Sequence, residues 1–374
     1  MKAPHKISGR LTTTRFLRDY WQKKPLLIRQ AFPDFKGLLS RQQLFAMASS
    51  DAPARVVTQK RGQWQVQHGP FKPAQFNKRE KWTLLVQGVN HVLPEAAALL
   101  QNFSFIPHAR LDDLMVSYAA AGGGVGPHFD SYDVFLLQGQ GHRRWQISAQ
   151  QDHALVEEAP LRILRNFKPE QEWVLAPGDM LYLPPQYAHN GIAEDDCMTY
   201  SIGFRAPAHQ ELAEQFLVHL QDHVNLNGMY ADPDLKPQQH PSEISPAMLR
   251  QVEAIIKQVR WNKRDIADFL GCYLSEPKPH IFFDPPPQLP GRARVIKILH
   301  TGGVALDLKS LMLCHQGKVF INGTVHAVSK ETYGRLRVLA DTRLLHSLAG
   351  ISPEAMGLLY QWYTNGYIVP IRNA

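Results

Sequence analysis

Three residues of this chain have the types and spacing of a metal centre. His128 and Asp130 stand two positions apart at the end of the run Gly122-Gly123-Gly124-Val125-Gly126-Pro127. His189 follows a second turn and strand, Pro177-Gly178-Asp179-Met180-Leu181-Tyr182-Leu183-Pro184-Pro185. Alternate side chains of a strand share a face, so His128 and Asp130 would point the same way and grip one ion. Two imidazoles and one carboxylate on one side of a metal leave positions open, an arrangement that non-haem Fe(II) uses for substrate and dioxygen. The same donors bind Mn(II), Co(II) or Ni(II), and the ligand set does not choose among them.

With 17 His and 19 Asp in 374 residues, a His-x-Asp triplet is expected about once by chance, so the triplet alone proves nothing. Its context gives it weight. Glycines crowd the approach, and an apolar run with Val134, Phe135, Leu136 and Leu137 follows. Read as one strand over 128–137, it puts Tyr132, Val134 and Leu136 on the face of His128 and Asp130, so Tyr132 lines the cavity beside the metal. In Gly141-His142-Arg143-Arg144-Trp145-Gln146-Ile147, Arg143 shares its face with Trp145 and Ile147. If those two face inward, Arg143 is buried and needs an anion. Its forked donors suit a carboxylate, which either an acidic side chain or a dicarboxylate cosubstrate would supply.

The elements that must position these residues follow from the rest of the chain. At 44% hydrophobic and 20% charged, the chain buries a sizeable core, is not a disordered protein, and is long enough for two or three domains. No apolar stretch approaches the length that spans a bilayer, and no apolar signal region follows Met1, so a cytoplasmic location is expected. Cys197, Cys272 and Cys314 are far apart and form no Cys-x-x-Cys pair, which argues against a disulfide framework and a structural zinc site. The net charge of +8 is uneven: residues 1–100 hold 17 Lys and Arg against 5 Asp and Glu. That basic third is read as a solvated face rather than a nucleic-acid surface.

A helix is expected over 13–23, a strand over 26–28, strands over 64–68 and 83–86, and a short helix over 94–101. Six closely spaced strands follow, at 114–119, 128–137, 143–147, 172–175, 180–183 and 198–204. Short strands with Gly, Pro and Asn turns between them point to an antiparallel sandwich or barrel such as a jelly roll. After Pro207 the apolar spacing becomes helical, through Leu212 to Val224, Leu249 to Val259 and Ile266 to Leu270. Proline-rich stretches at 231–246 and 277–290 read as linkers. From Arg292, a hairpin signal at Asn322-Gly323 and helices near 330–347 and 352–363 suggest a winged-helix-like module, with a final strand at 367–371.

The stretches Trp21-Gln22-Lys23-Lys24-Pro25-Leu26, His128-Phe129-Asp130, Gly141-His142-Arg143-Arg144-Trp145 and Pro177 to Pro185, with His189, resemble the JmjC-type 2-oxoglutarate oxygenases. Within them the chain is most similar, over nearly its full length, to bacterial ribosomal oxygenases that hydroxylate an arginine of large-subunit ribosomal protein sixteen. The resemblance implies a mainly β core, a double-stranded β-helix of the cupin or JmjC jelly-roll type, as a catalytic domain over 1–207. It implies a helical dimerisation domain over 208–275, hence a homodimer, and a winged-helix-like domain over 292–374. It makes His128, Asp130 and His189 ligands of Fe(II), Arg143 the receptor for the cosubstrate 2-oxoglutarate, and Ser117 a second cosubstrate contact. Thr199 stands where relatives often carry Asn. The reaction it implies is 3-hydroxylation, at Cβ, of an arginyl residue with dioxygen as oxidant.

A basic ribosomal protein needs local acids to hold it. Asp112, Asp113 and Asp133 are candidates, whereas Glu194-Asp195-Asp196 reads first as a solvated loop. Two rivals stand beside this reading. One is a related hydroxylase acting on a histidine or on RNA. The other is a non-catalytic metal-binding cupin whose winged-helix-like end binds nucleic acid.

Overall fold

Runs of β-branched, aliphatic and aromatic residues, cut by Gly and Pro, fold the first part of the chain into strands. The structure is a computed structural model that describes residues 6–8, 11–76 and 81–371. It divides into two units, Met1–Ala206 and Pro207–Ala374. The first unit begins with β1 (Lys6–Ser8), β2 (Leu11–Thr12), α1 (Thr13–Asp19) and β3 (Leu26–Ile28). Next come α2 (Arg41–Ala48), β4 (Ala54–Lys60), β5 (Gln63–His68), β6 (Trp82–Val86) and α3 (Pro94–Gln101). The metal-site region is built by β7 (Leu111–Ala119), β8 (Val134–Gln140), β9 (Arg143–Ser148), β10 (Gln171–Leu175), β11 (Met180–Leu183), β12 (Ala188–Ala193) and β13 (Cys197–Phe204).

Eight strands form one antiparallel sheet in the order β3-β11-β8-β13-β7-β6-β4-β5, and β10-β9-β12 form a second. The jelly-roll sandwich expected from the strand pattern is what forms. Strand β8 explains how the large sheet holds its two faces. Val134 and Leu136 pack between the sheets with Trp145, Ile147, Leu181 and Leu183. Phe135 and Leu137 point the other way, into the main core with Phe16, Leu44 and Leu99 of the helices. A strand buried on both faces has no polar positions to alternate, which is why this run reads as continuously apolar. Phe135 sits 4.9 Å, ring centre to ring centre, from both Phe103 and Tyr182.

Several boundaries differ from the sequence reading. The expected strand 128–137 begins only at Val134: His128 makes an isolated bridge to His189, and beyond it the Asp130 carbonyl accepts from the Gln186 N–H instead of a ladder partner. The expected first helix ends at Asp19 rather than Lys23, and Gln22 takes the left-handed conformation at φ 55°. Three elements carry no clear pattern in the sequence. Helix α2 is fixed by its ends, where Ser40 and Gln43 cap each other's backbone. Strand β4 is hydrogen-bonded on both edges, and β12, Ala-His-Asn-Gly-Ile-Ala, lacks the usual strand formers and is held by pairing with β9.

The second unit contains α4 (His209–His223), α5 (Pro246–Ile256), α6 (Lys263–Ser275), α7 (Arg292–Gly302), β14 (Val304–Leu306) and β15 (Met312–His315). It continues with β16 (Lys318–Ile321), β17 (Thr324–Ala327), α8 (Lys330–Thr342), β18 (Leu344–Leu345), α9 (Pro353–Thr364) and β19 (Ile368–Pro370). Asn322 and Gly323, at φ 49° and 86°, form the two-residue turn between β16 and β17, as the Asn-Gly signal requires. The expected helix 330–347 stops at Thr342, where Arg343 turns left-handed at φ 62°. Residues 224–245 and 276–291 form neither helix nor strand, in keeping with the linker reading.

Phe135→Ala is expected to cost about 3–5 kcal/mol by leaving a cavity under the large sheet. Urea unfolding followed by circular dichroism measures it. An unchanged midpoint would show that β8 does not anchor the helical face.

Candidate metal centre

His128 lies just before β8, the point where the chain enters the large sheet, and His189 lies on β12 of the small one. Their backbones pair directly. The His128 N–H donates to the His189 carbonyl at 2.9 Å, and the His189 N–H donates back at 2.7 Å. This exchange brings the rings to 4.3 Å between centres. The Nδ1 of His128 lies 2.9 Å from the Gly126 carbonyl, and that of His189 lies 3.0 Å from the Tyr187 carbonyl. Carbonyls only accept, so both Nδ1 atoms carry the proton and both Nε2 lone pairs are left for a metal.

Asp130 completes the group, with Oδ2 3.7 Å from His189 Nε2. One donor atom from each of the three residues lies within 4.8 Å of the others, and no other such set occurs among the described residues. Burial foremost, and then the adjacent His128 ring, hold the His189 pKa well below its usual range, so this ring is a neutral donor. Gly126 makes the approach possible. Its φ is 82°, and a Cβ there would come within 2.6 Å of Ile163 Cδ1.

Arg143, on β9, is 3% exposed. Its Nη1 donates to Ser117 Oγ at 3.2 Å and to Thr199 Oγ1 at 3.5 Å, and its Nη2 donates to the Gly191 carbonyl at 3.2 Å. Its Nε is buried with no acceptor. The guanidinium lies over the Trp145 ring, 4.9 Å from its centre. Of the two partners the sequence left open, an acidic side chain is not the one: among the described residues no carboxylate ion-pairs with Arg143. Burial pulls its pKa down, the mark of a cation without a counter-ion. Gly191 is what lets the side chain lie flat, since a Cβ there would be 2.7 Å from Arg143 Nε and from the Trp145 ring.

These groups line one cavity of about 240 Å³. Ser117, Thr199 and Arg143 border it together with His128, Asp130 and His189, and so do Val134 and Leu136. Tyr132 lines it too and is 39% exposed, which puts it at the opening. Asp112 and Asp113 also border it. Asp133 does not, and here the sequence reading is corrected. It is fully buried, accepting from Tyr182 Oη at 2.6 Å and Gln22 Nε2 at 2.9 Å, and pairing with Arg110 at 3.3 Å. Those bonds turn its carboxylate, at the lead into β8, into a clamp on the turn after α1, on β11 and on the lead into β7. Glu194 and Asp195 are bound to Arg144 and His142. Arg55, from β4, borders the cavity with its Nε buried and unpaired; the sequence reading missed it, because its strand carries no clear pattern.

A jelly roll with two histidines and an aspartate grouped at its cavity defines the class: this is a JmjC-domain protein. The family model for the JmjC domain matches residues 98–212, and the model for a ROXA-like winged helix matches residues 258–368. The ribosomal protein uL16 3-hydroxylase of Escherichia coli strain K12 is 34% identical over 82% of this chain and 83% of that protein. The crystal structure of E. coli YcfD superposes with a TM-score of 0.85 at 30% identity, covering 96% of this chain and 98% of that one. YcfD in complex with cobalt and 2-oxoglutarate superposes at 0.81 with 31% identity, covering 95% and 97%. The chain belongs to the ribosomal oxygenase family.

Gly191→Ala is expected to push Arg143 out of place and weaken dicarboxylate binding about tenfold or more, since one 1.4 kcal/mol misfit is a factor of ten. Equilibrium binding of 2-oxoglutarate to the metal-loaded protein measures it. Wild-type affinity in the variant would remove Arg143 from the binding role.

Proposed function

We propose that this chain is an Fe(II)- and 2-oxoglutarate-dependent oxygenase that hydroxylates Cβ of an arginyl residue in a large-subunit ribosomal protein. The observation that carries the reading is Arg143, a buried guanidinium with an unpaired Nε in the cavity that holds the three-ligand set. A metal held for structure alone has no need of an anion receptor beside it, which disfavours the non-catalytic cupin reading. The likeness to the uL16 3-hydroxylase, and to YcfD with cobalt and 2-oxoglutarate, supports both cosubstrate and substrate class.

His128, Asp130 and His189 would hold the iron by one face. When bound, Fe(II) with 2-oxoglutarate and dioxygen supplies an oxidant for an unactivated C–H bond, with succinate and CO2 as products. The protein's part is ligation, orientation and exclusion of side reactions. The carbonyls of Gly126 and Tyr187 keep both imidazoles in the ligating tautomer. Arg143 and the Ser117 hydroxyl would take the far carboxylate of the cosubstrate, and Thr199 orients Arg143 while donating to Gln138 Oε1 at 3.0 Å. Val134, Leu136 and Trp145 close an apolar wall that excludes water. Asp112 and Asp113 bring carboxylates to the same cavity, Asp112 paired with Arg205 at 3.3 Å and buried Asp113 accepting from the Gly88 N–H at 2.9 Å, while Tyr132 at the opening is placed to pack beside a guanidinium.

Residues 1–207 would form the catalytic domain, 208–275 a dimerisation domain and 292–374 a winged-helix-like domain. Apolar side chains on α4 and α5 support a homodimer: Leu217, Leu249 and Ile256 are each more than 60% exposed. No helix among the described residues is long and apolar enough to cross a membrane. A ribosomal substrate would be met in the cytoplasm, which supports that location.

With Fe(II), 2-oxoglutarate and dioxygen, succinate formation is expected to match the gain of one oxygen atom on an arginine of the ribosomal protein, read by mass spectrometry. Iron-loaded protein that never consumes 2-oxoglutarate would sink the proposal, and oxygen gained on a histidine or on RNA would move it to the related-hydroxylase reading. Arg143→Ala is expected to raise the 2-oxoglutarate KM about thirtyfold or more, the loss of a 2 kcal/mol charged contact, with the fold retained. For the dimer, Leu249→Asp with Ile256→Asp is expected to give a monomer by light scattering. A wild-type chain that is already monomeric would refute the role of this segment.

A further inference from the structure

The second unit has a cavity of its own, about 480 Å³, bordered by α4 and α6. Helix α4 brings His219 and His223 to it, one turn apart. Helix α6 brings Asp265, Asp268 and Cys272, which repeat on one helical face. The two imidazoles stack, 4.2 Å between centres with planes 26° apart. The His223 Nδ1–H donates to the His219 carbonyl at 2.6 Å, fixing that tautomer and leaving Nε2 as the open donor. The His219 ring also packs 5.8 Å from Phe269 of α6. Burial and the neighbouring His223 lower the His219 pKa, favouring the neutral ring that binds metals.

We propose that His219 and His223, with a carboxylate of α6, form a second metal site that takes Zn(II) or a neighbouring late first-row divalent ion. A His-x-x-x-His pair on one helical face presents two nitrogen donors to a single ion. The two rings are the pre-arranged part; no α6 carboxylate yet completes a three-donor set with them, so the third ligand would be recruited by side-chain rotation across the cavity. Asp265 is free to do this, since it uses only Oδ2 to cap the Asn262 N–H. Asp268 is paired with Lys318. A bound ion would staple α4, in the proposed dimerisation segment, to α6, which opens the region matched by the winged-helix family model.

The test is Zn(II) uptake by the full chain after the first centre is disabled with His128→Ala. One equivalent per chain is expected, falling to none when His219→Gln and His223→Gln are added. No uptake in the His128→Ala chain, or one equivalent retained in the triple variant, would overturn the site. Because a triple variant can lose its fold, His223→Gln alone, at an exposed ring, is measured in the same background. It is expected to weaken Zn(II) binding about tenfold or more; unchanged affinity would also overturn the proposal. None of these outcomes depends on the hydroxylase reading.

Discussion

The first unit turns on a pair of backbone hydrogen bonds exchanged between His128 and His189. Each is worth about 0.5–1.5 kcal/mol, a small share of the stability of the fold. Their value is geometric. They join the lead into β8 of the large sheet to β12 of the small one, and fix the distance between two imidazoles that the sequence keeps far apart. Everything local serves that contact. Gly126 turns the chain into it, Pro127 withholds an N–H that would extend the ladder, and the Gln186 N–H catches the Asp130 carbonyl so that the carboxylate swings toward the rings.

The second constraint is electrostatic. Burying a guanidinium with no carboxylate of the protein beside it costs several kcal/mol, and this cost sits in the most protected part of the cavity. Neutral acceptors lower it only in part: two hydroxyls, one backbone carbonyl and the face of Trp145. A ligand carboxylate would recover the remainder as binding energy, so stability that the protein's own groups do not supply would become affinity. The same trade is visible at Gly191, where the lack of a side chain weakens strand propensity but gives Arg143 its room.

The chemistry of the site was more legible in the sequence than its scaffold. His128, Asp130 and His189 could be grouped because their donor types are few and their turns are marked by Gly and Pro. Inward-facing Arg143 followed from its parity with Trp145 and Ile147, which do pack between the sheets. Tyr132 borders the cavity although no strand runs through 129–133, because the loop there keeps its ring on the side of His128 and Asp130. Asp133 was misread since sequence does not distinguish a carboxylate facing a cavity from one already claimed by Tyr182, Gln22 and Arg110. Strands β4 and β12 lacked clear patterns because neighbours, and not their own propensities, hold them in place.

The cross-strand histidine pair also sets an order of events in making the protein. His128 leaves the ribosome well before His189, and the backbone it pairs with does not yet exist. Neither half of the chain can present the complete donor set alone. An ion held by all three donors would therefore be captured only after both sheets have closed, when apolar walls already surround the site. The wide separation of the three donors along the chain would thus time metal loading to the closure of the fold.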